Sequence, residues 1–260
     1  MDAGRNVELS NHSGRDMRLR TAMGAAAVAV AALTASACDI NGDGPVLMRD
    51  DLSGNITTEA RDLNGFTQID MGGSADLLVT EGASFEIEVT TDSALQKYVT
   101  TEVVGNTLRI EQHYSIIGAS PSVAVSVTVP DLTRLDISGA SEATVRSVTA
   151  ETLDVGISGA GDIDLAADAK RLTISVTGAG TVTAHGTVDS GSITVSGAGG
   201  INGADMTIAD ATVSVSGAGS VKVRVRQSLN ADVSGAGTLV YYGDPRVTQD
   251  VSGAGSISQG

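Results

Sequence analysis

Aromatic side chains are nearly absent from this sequence of 260 residues, which contains no Trp, two Phe and four Tyr. Hydrophobic residues still make up 41% of the chain, so a core can form, but it must be built from small aliphatic side chains. Such a core suits narrow, repetitive layers. The same scarcity argues against a sugar-binding site that relies on stacking against several exposed rings.

Cysteine and histidine are also scarce. Cys38 is the only cysteine, which excludes an internal disulfide and a paired-cysteine metal site. The three histidines, His12, His113 and His185, stand far apart in the sequence, and no nucleophile elbow or zinc-protease motif is present. We therefore expect no cofactor and no enzymatic activity.

Basic residues are outnumbered, with 16 Lys and Arg against 31 Asp and Glu and a net charge of −15. An acidic surface repels nucleic-acid phosphates and anionic lipid headgroups. We therefore expect no nucleic-acid partner. The simplest role for this charge is to keep an exported protein soluble.

A Ser-Gly-Ala-Gly block recurs almost to the last residue of the chain. It stands at 158–161, 196–199, 216–219, 234–237 and 252–255, with close variants at 138–141 and 177–180. Successive blocks begin 20, 19, 19, 20, 18 and 18 residues apart. This spacing indicates a stacked array, in which each unit is one supersecondary element that cannot bury its apolar face alone.

Aliphatic residues alternate with polar ones on both sides of each block. In a typical unit, Leu153, Val155 and Ile157 precede the block, and Ile163 and Leu165 follow it. This period of two predicts strands with one buried face, and glycine supplies the tight corners between them. We predict an all-β solenoid with coils of about 19 residues. The predicted turn glycines are Gly139, Gly159, Gly161, Gly178, Gly180, Gly197, Gly199, Gly217, Gly219, Gly235, Gly237, Gly253 and Gly255.

The N-terminus has the pattern of an export signal. Arg18 and Arg20 precede an uncharged, Ala-rich stretch, residues 21–37, which ends in the small residues Ala35-Ser36-Ala37. The stretch is too short and too rich in Ala to predict a membrane span. Met17 stands directly before the basic pair, so we expect translation to start there rather than at the first methionine.

The segment Leu33–Cys38 resembles a bacterial lipobox, in which the cysteine is lipidated and becomes the first residue of the mature protein. Ala35 occupies the position where Leu is most usual. Lipidated Cys38 would anchor the chain to a membrane of the bacterial cell envelope without spanning it. Ala35-Ser36-Ala37 also fits ordinary signal cleavage, which would leave a periplasmic or secreted protein with a free thiol.

Composition divides the chain into four segments. We predict an export signal at 1–37, an acidic tether with Gly and Pro at 38–53, a diverged N-terminal part of the solenoid at 54–131, and the repeat solenoid at 132–260, continuous with the part before it. Residues 66–76 align with residues 132–142, which is why the N-terminal part is assigned the same architecture. Strands are predicted at 66–71, 75–79, 85–90, 107–112 and 123–129, a helical turn at 93–99 and a loop at 113–122.

One pattern resembles a calcium loop. Asp39, Asn41, Asp43 and Asp50 place oxygen ligands along a loop with Gly at its sixth position. However, the last ligand is Asp rather than the longer Glu, and the helix that should precede the loop is the export signal. A flexible acidic tether explains these residues more simply, so we predict no metal site.

Three segments, together with the serial blocks, resemble the bacterial head GIN domain family, also called DUF2807 or putative auto-transporter adhesins. They are Gly65–Gly82, Asn106–Ile110 and Val240–Pro245. The resemblance spans about Leu63 to Gly260 and is that of a lipoprotein-type member. It implies a right-handed parallel β-helix like the pectin-lyase superfold, exported and often lipid-anchored, with adhesion as the suggested role. It implies no catalytic residues.

An enzyme that cleaves polysaccharides on this scaffold would need carboxylates and basic residues clustered on one face. The densest such group is Asp162, Asp164, Asp168, Lys170 and Arg171. These residues more simply solvate a turn.

We therefore expect a non-enzymatic module of the cell envelope, with adhesion to or interaction with an envelope protein or glycan as its role. The alternatives are a protein that binds or cleaves polysaccharides on the same scaffold, and a spacer with no ligand. Tyr241 and Tyr242 are expected to cover the end of the rod. Open solenoid ends expose unpaired backbone groups, which would allow a homo-oligomer.

Overall fold

The computed structural model describes residues 44–118 and 121–260, which form 18 strands and two 3₁₀ turns, Arg49–Asp51 and Gln96–Tyr98. The first nine strands are β1 (Val46–Met48), β2 (Ile56–Ala60), β3 (Gln68–Gly73), β4 (Asp76–Glu81), β5 (Glu86–Asp92), β6 (Val99–Val104), β7 (Thr107–Gln112), β8 (Ser115–Ile117) and β9 (Ala124–Val129). The others are β10 (Arg134–Gly139), β11 (Glu142–Gly159), β12 (Asp162–Gly178), β13 (Thr181–Gly197), β14 (Gly200–Gly217), β15 (Ser220–Gly235), β16 (Thr238–Tyr242), β17 (Arg246–Gly253) and β18 (Ser256–Gln259).

These strands build a right-handed parallel β-solenoid of about seven turns, which confirms the predicted fold class. Each of the strands β11 to β15 runs through a whole coil and pairs in parallel with the next one. Strands β16, β17 and β18 complete the C-terminal end. A coil advances the stack by about 4.8 Å, the distance between paired strands.

Equivalent residues of successive coils lie directly above one another. The predicted alignment of 66–76 with 132–142 is confirmed, because Gln68 pairs with Arg134 and Gly73 pairs with Gly139. From there one column of glycines rises through every coil to the end of the chain. Its members are Gly73, Gly139, Gly159, Gly178, Gly197, Gly217, Gly235 and Gly253.

The interior is a single aliphatic column. The predicted inward positions are buried in every complete coil, for example Leu153, Val155 and Ile157 before one corner and Ile163 and Leu165 after it. The buried hydrophobic side chains of the repeat coils, residues 132–260, include no aromatic ring. The two phenylalanines lie in the N-terminal part, where their rings contact each other with centroids 5.0 Å apart.

The two glycines of a block have different tasks. The first adopts a positive φ, +125° at Gly178, in the region that side chains with a Cβ rarely enter. The second permits close contact between coils, since a Cβ on Gly180 would lie 2.4 Å from the carbonyl oxygen of Gly161. Between them, the amide of the block's Ala donates to the first glycine of the coil below, as from Ala179 to Gly159 at 2.8 Å.

Antiparallel strands close the N-terminal end of the stack, and these were not predicted. β2 pairs antiparallel with β5, β5 with β9, and β6 with β7. The two-residue connection Gly105-Asn106 explains the last pair, because so short a loop can join only antiparallel strands. The five predicted strands of this part overlap β3, β4, β5, β7 and β9. Residues 93–99 hold only a single 3₁₀ turn, and the predicted loop at 113–122 contains the short strand β8.

A buried carboxylate holds this end together. Asp92 is 2% exposed and accepts hydrogen bonds from the Ser53 hydroxyl and from the amides of Ser53, Gly54 and Ala94, at 2.7 to 3.1 Å. Burial acts to raise the pKa of the Asp92 carboxyl, but the hydrogen bonds outweigh it and lower the pKa below its ordinary value. The charged form therefore fixes the segment before β2 to the end of β5.

Replacing Gly180 by Ala should destabilise the solenoid by about 1–3 kcal/mol, because the new Cβ would collide with the Gly161 carbonyl and with Ile157. The matched control is Gly200→Ala, where the nearest atom, the Ser220 hydroxyl, lies at an ordinary 3.5 Å. Thermal unfolding followed by circular dichroism would compare the two. Equal midpoints for both variants would contradict the assignment of close packing to this corner.

Replacing Asp92 by Asn should lower the melting temperature at pH 7, because the neutral amide accepts fewer hydrogen bonds. Since the folded pKa of Asp92 is lowered, its stabilisation is complete above the unfolded pKa of about 3.9 and fades as the pH falls through the lower folded value. The difference between the variant and the wild type should therefore shrink as the pH falls below the unfolded pKa. Asp244→Asn, on an exposed carboxylate, is the control; a difference that stays constant with pH would refute this role.

Candidate functional site

A regular array of hydroxyl groups lies on the surface of the solenoid and is here called the hydroxyl face. It lies on the side of the coil that precedes each Ser-Gly-Ala-Gly corner. Its side chains alternate with buried aliphatic residues, which fixes them outward. The nine members, on three successive coils, are Thr173, Ser175, Thr177, Ser192, Thr194, Ser196, Thr212, Ser214 and Ser216.

The array is rectangular because the coils are in unbroken register across it. Ser175 pairs with Thr194, which pairs with Ser214, and the columns on either side follow the same pattern. The spacing is about 4.8 Å between coils and about 6.6 Å between alternate residues of one strand. Within the array, the Ser216 hydroxyl donates to the Ser196 hydroxyl at 3.3 Å.

Carboxylates border the hydroxyl face above and below. In the same columns, Asp154 and Asp136 lie on the coils toward the N-terminus, and Asp232 and Asp250 lie on those toward the C-terminus. The hydrogen bond and the charge of Asp136 raise the pKa of the Arg134 guanidinium, so this basic side chain is paired within the border. No aromatic side chain belongs to these columns, so the face offers hydrogen bonds rather than ring stacking.

The hydroxyl face was missed by the sequence analysis, although the signal was present. The three segments before the corners read Thr-Ile-Ser-Val-Thr, Ser-Ile-Thr-Val-Ser and Thr-Val-Ser-Val-Ser. The aliphatic positions were used to predict the core. The residues between them carry the outer surface, and their register could have been predicted from the glycine spacing.

The ionisable group singled out as a candidate catalytic cluster is divided between two depressions. Asp162 and Asp164 line one of about 380 Å³, whereas Asp168 and Lys170 line another of about 430 Å³. Arg171 lies on a further outward position and its guanidinium donates to the Thr152 hydroxyl at 3.4 Å. The group therefore does not converge on one reacting centre.

Within the second depression, contacts between coils engage the charged groups. The amide and hydroxyl of Thr187 donate to Asp168 at 2.8 and 2.5 Å, and these bonds lower the pKa of the carboxyl. Lys170 binds Glu151 at 2.6 Å, which raises the pKa of the ammonium group. Both shifts move the pKa of the group further from pH 7, whereas general acid–base catalysis needs a pKa near the working pH.

The other candidates also lie apart. The His113 ring bonds the Thr100 hydroxyl at 3.0 Å, and His185 lies 3.5 Å from Asp164. Tyr241 packs against the core beneath β18, and Tyr242 lies under Arg224, with 5.5 Å between guanidinium and ring centre. β18 stacks above Tyr241, so this tyrosine does not cover the end of the rod as predicted.

Residues 44–118 and 121–260 contain no cluster of three or more His, Asp or Glu side chains arranged to hold a metal ion. Of the calcium-like residues only Asp50 is described, in the first 3₁₀ turn; Asp39, Asn41 and Asp43 lie outside the described residues, as does Cys38. No helix in the described part of the chain is long and apolar enough to cross a bilayer.

The family model described as “Putative auto-transporter adhesin, head GIN domain” matches residues 65–245. The chain belongs to this family. The match begins before β3 and ends after β16, so it covers the glycine column from Gly73 to Gly235 and the whole hydroxyl face. A search of curated proteins finds no match.

Solved structures share the fold at low sequence identity. A “putative adhesin” from Bacteroides fragilis superposes with a TM-score of 0.77 at 20% identity, over 82% of this chain and 99% of its own. A “putative lipid binding protein” from Parabacteroides distasonis gives 0.69 at 23% identity, over 83% and 99% of the two chains. A second “putative adhesin” from Parabacteroides distasonis gives 0.66 at 20% identity, over 83% and 100%.

Proposed function

We propose that this head GIN domain protein is exported, anchored to the cell envelope through lipidated Cys38, and acts without catalysis as an adhesion module. Its partner, in this proposal, is a repetitive glycan that lies along the hydroxyl face. Membership of an adhesin family supports the general role. The lipobox-like segment supports the anchor.

The observation that carries the proposal is the regular register of the hydroxyl face. One hydrogen bond to a sugar hydroxyl contributes only about 0.5–1.5 kcal/mol net. A repetitive polymer, however, can engage several equivalent positions at once, and the linked contacts add avidity. The parallel coils hold these hydroxyls at fixed spacing before binding, which reduces the ordering cost.

The binding surface also fits the shape of a long ligand better than that of a small one. The described depressions around the candidate catalytic group are shallow and lie between coils. The hydroxyl face, in contrast, is continuous across three coils. The alternative functions are a polysaccharide-cleaving enzyme and a spacer with no ligand. The divided cluster and the pKa directions of Asp168 and Lys170 favour binding over cleavage.

Replacing Thr194, at the centre of the array, by Arg should weaken binding on a glycan array by about tenfold, equivalent to ~1.4 kcal/mol. The larger side chain would hold a flat polymer away from the face. Thr181→Arg is the matched control, since this exposed residue lies on the same strand beyond the corner.

Equal glycan binding by the two variants would exclude the hydroxyl face as the contact surface. If the protein captured an envelope protein and bound no glycan, the partner would be a protein rather than a polysaccharide. New reducing or unsaturated ends after incubation with uronate polysaccharides would instead favour an enzyme.

Replacing Cys38 by Ser should release the mature protein from the membrane fraction, because the only thiol that can carry the lipid is lost. The measurement is membrane fractionation of the producing cells together with the intact mass of the mature chain. A wild-type protein that is already soluble, with the mass of an unmodified chain beginning at residue 38, would instead favour ordinary signal cleavage.

A further inference from the structure

Large hydrophobic side chains that remain exposed are concentrated at one end of the molecule. Among the described residues, five of the six lie on β1, β2, β6 or β8, at the N-terminal end of the stack. This set, here called the apolar base, consists of Val46, Met48, Ile56, Val104 and Ile117. The sixth, Val251, lies in the last coil.

Three members of the apolar base share one face of a small sheet. β1 and β8 pair in parallel, and Met48 lies directly opposite Ile117. These two side chains are 59% and 63% exposed. Val46, two residues before Met48, points to the same side, whereas Leu47 and Ile116 point to the other and are partly covered.

The remaining members lie on the outermost strands. β2 and β6 each pair on one side only and form the N-terminal edges of the sheet. Ile56 begins β2 and Val104 ends β6, and both are about half exposed. β8 begins three residues after the end of β7, the strand beside β6, so all five members of the apolar base belong to the end of the solenoid opposite to the C-terminal coil.

We propose that the apolar base rests against the lipid bilayer to which the chain is anchored, and so fixes the direction in which the rod points. This inference depends on the proposed lipidation of Cys38. Only five residues, 39–43, separate Cys38 from Gly44, the first described residue. A chain of that length reaches at most about 20 Å, so the N-terminal end stays beside the membrane surface.

Charge determines the kind of contact. The strands and the first 3₁₀ turn around the apolar base carry one basic residue, Arg49, against four acidic ones, Asp50, Asp51, Glu59 and Glu102. Attraction to anionic headgroups is therefore excluded as the source of the contact. Apolar side chains at the headgroup boundary supply it instead, as a second, weaker signal beside the acyl anchor.

The test uses the lipidated mature protein and one added cysteine. Because lipidation converts the sulfur of Cys38 to a thioether, a cysteine at another position can be labelled alone with an environment-sensitive fluorophore. Ile117→Cys places the probe in the apolar base, and Ser252→Cys places it on an exposed residue of the last coil. Both proteins are reconstituted into phosphatidylcholine vesicles, with and without spin-labelled lipid.

The probe at residue 117 should shift to shorter wavelength on reconstitution and be quenched by the spin-labelled lipid, while the probe at residue 252 should do neither. Met48→Glu should reduce the response of the first probe. Val251→Glu, the control at the other end, should leave it unchanged. Circular dichroism confirms that the variants are folded.

Each contrary outcome is distinct. Equal responses of the two probes in vesicles that carry the protein would overturn the inference while leaving the anchor intact. Failure of the protein to float with the vesicles would refute the lipidation itself. Emission of the first probe at the shorter wavelength before lipid is added would mean that protein, not lipid, covers the apolar base. The cover would be a second copy if the emission depends on protein concentration, and residues 39–43 if it does not. Either result overturns the inference.

Discussion

The structure depends on one repeated backbone contact, the hydrogen bond from the Ala of each corner to the first glycine of the coil below. This bond forms only if the backbone turns sharply and approaches the neighbouring coil closely. A side chain at the first glycine would disfavour the turn, and a side chain at the second would block the approach. The short distance between the backbones of neighbouring coils therefore requires glycine at both positions, which explains why the block recurs with so little variation.

Once the corners are in register, the rest of each coil follows. Inward side chains stack into an aliphatic column, which is why the chain manages with so few rings. Outward side chains stack as well, so a substitution pattern that repeats in the sequence becomes a lattice on the surface. The hydroxyl face arises in this way from Ser and Thr residues that are distant in the chain. Core and surface have the same geometric origin, and neither requires a loop to position its residues.

The periodic part of the fold could be predicted from the sequence because its contacts repeat at a fixed interval. The glycine spacing gave the register, and the alternation around Leu153 and Ile163 gave the core. The N-terminal end was less predictable, since the direction of β2 depends on β5, a partner distant in the sequence that no repeat indicates. The hydroxyl face could have been found from the same alternation. The apolar base could not, because the exposure of Met48 and Ile117 depends on which strands lie beyond them.

The coils differ in length, from 18 to 20 residues, and the extra residues are accommodated on one side of the rod only. The register between neighbouring coils shifts after Val145, Thr183, Gly203 and Ile208, all outside the hydroxyl face, while the columns of that face continue without interruption. An insertion or deletion of one or two residues on the wall after the corner would therefore leave the lattice of hydroxyls undisturbed. One wall of the rod therefore tolerates changes in length, whereas the register of the coils fixes the spacing of the hydroxyl face. Duplication of a whole coil would extend the hydroxyl face and keep its spacing.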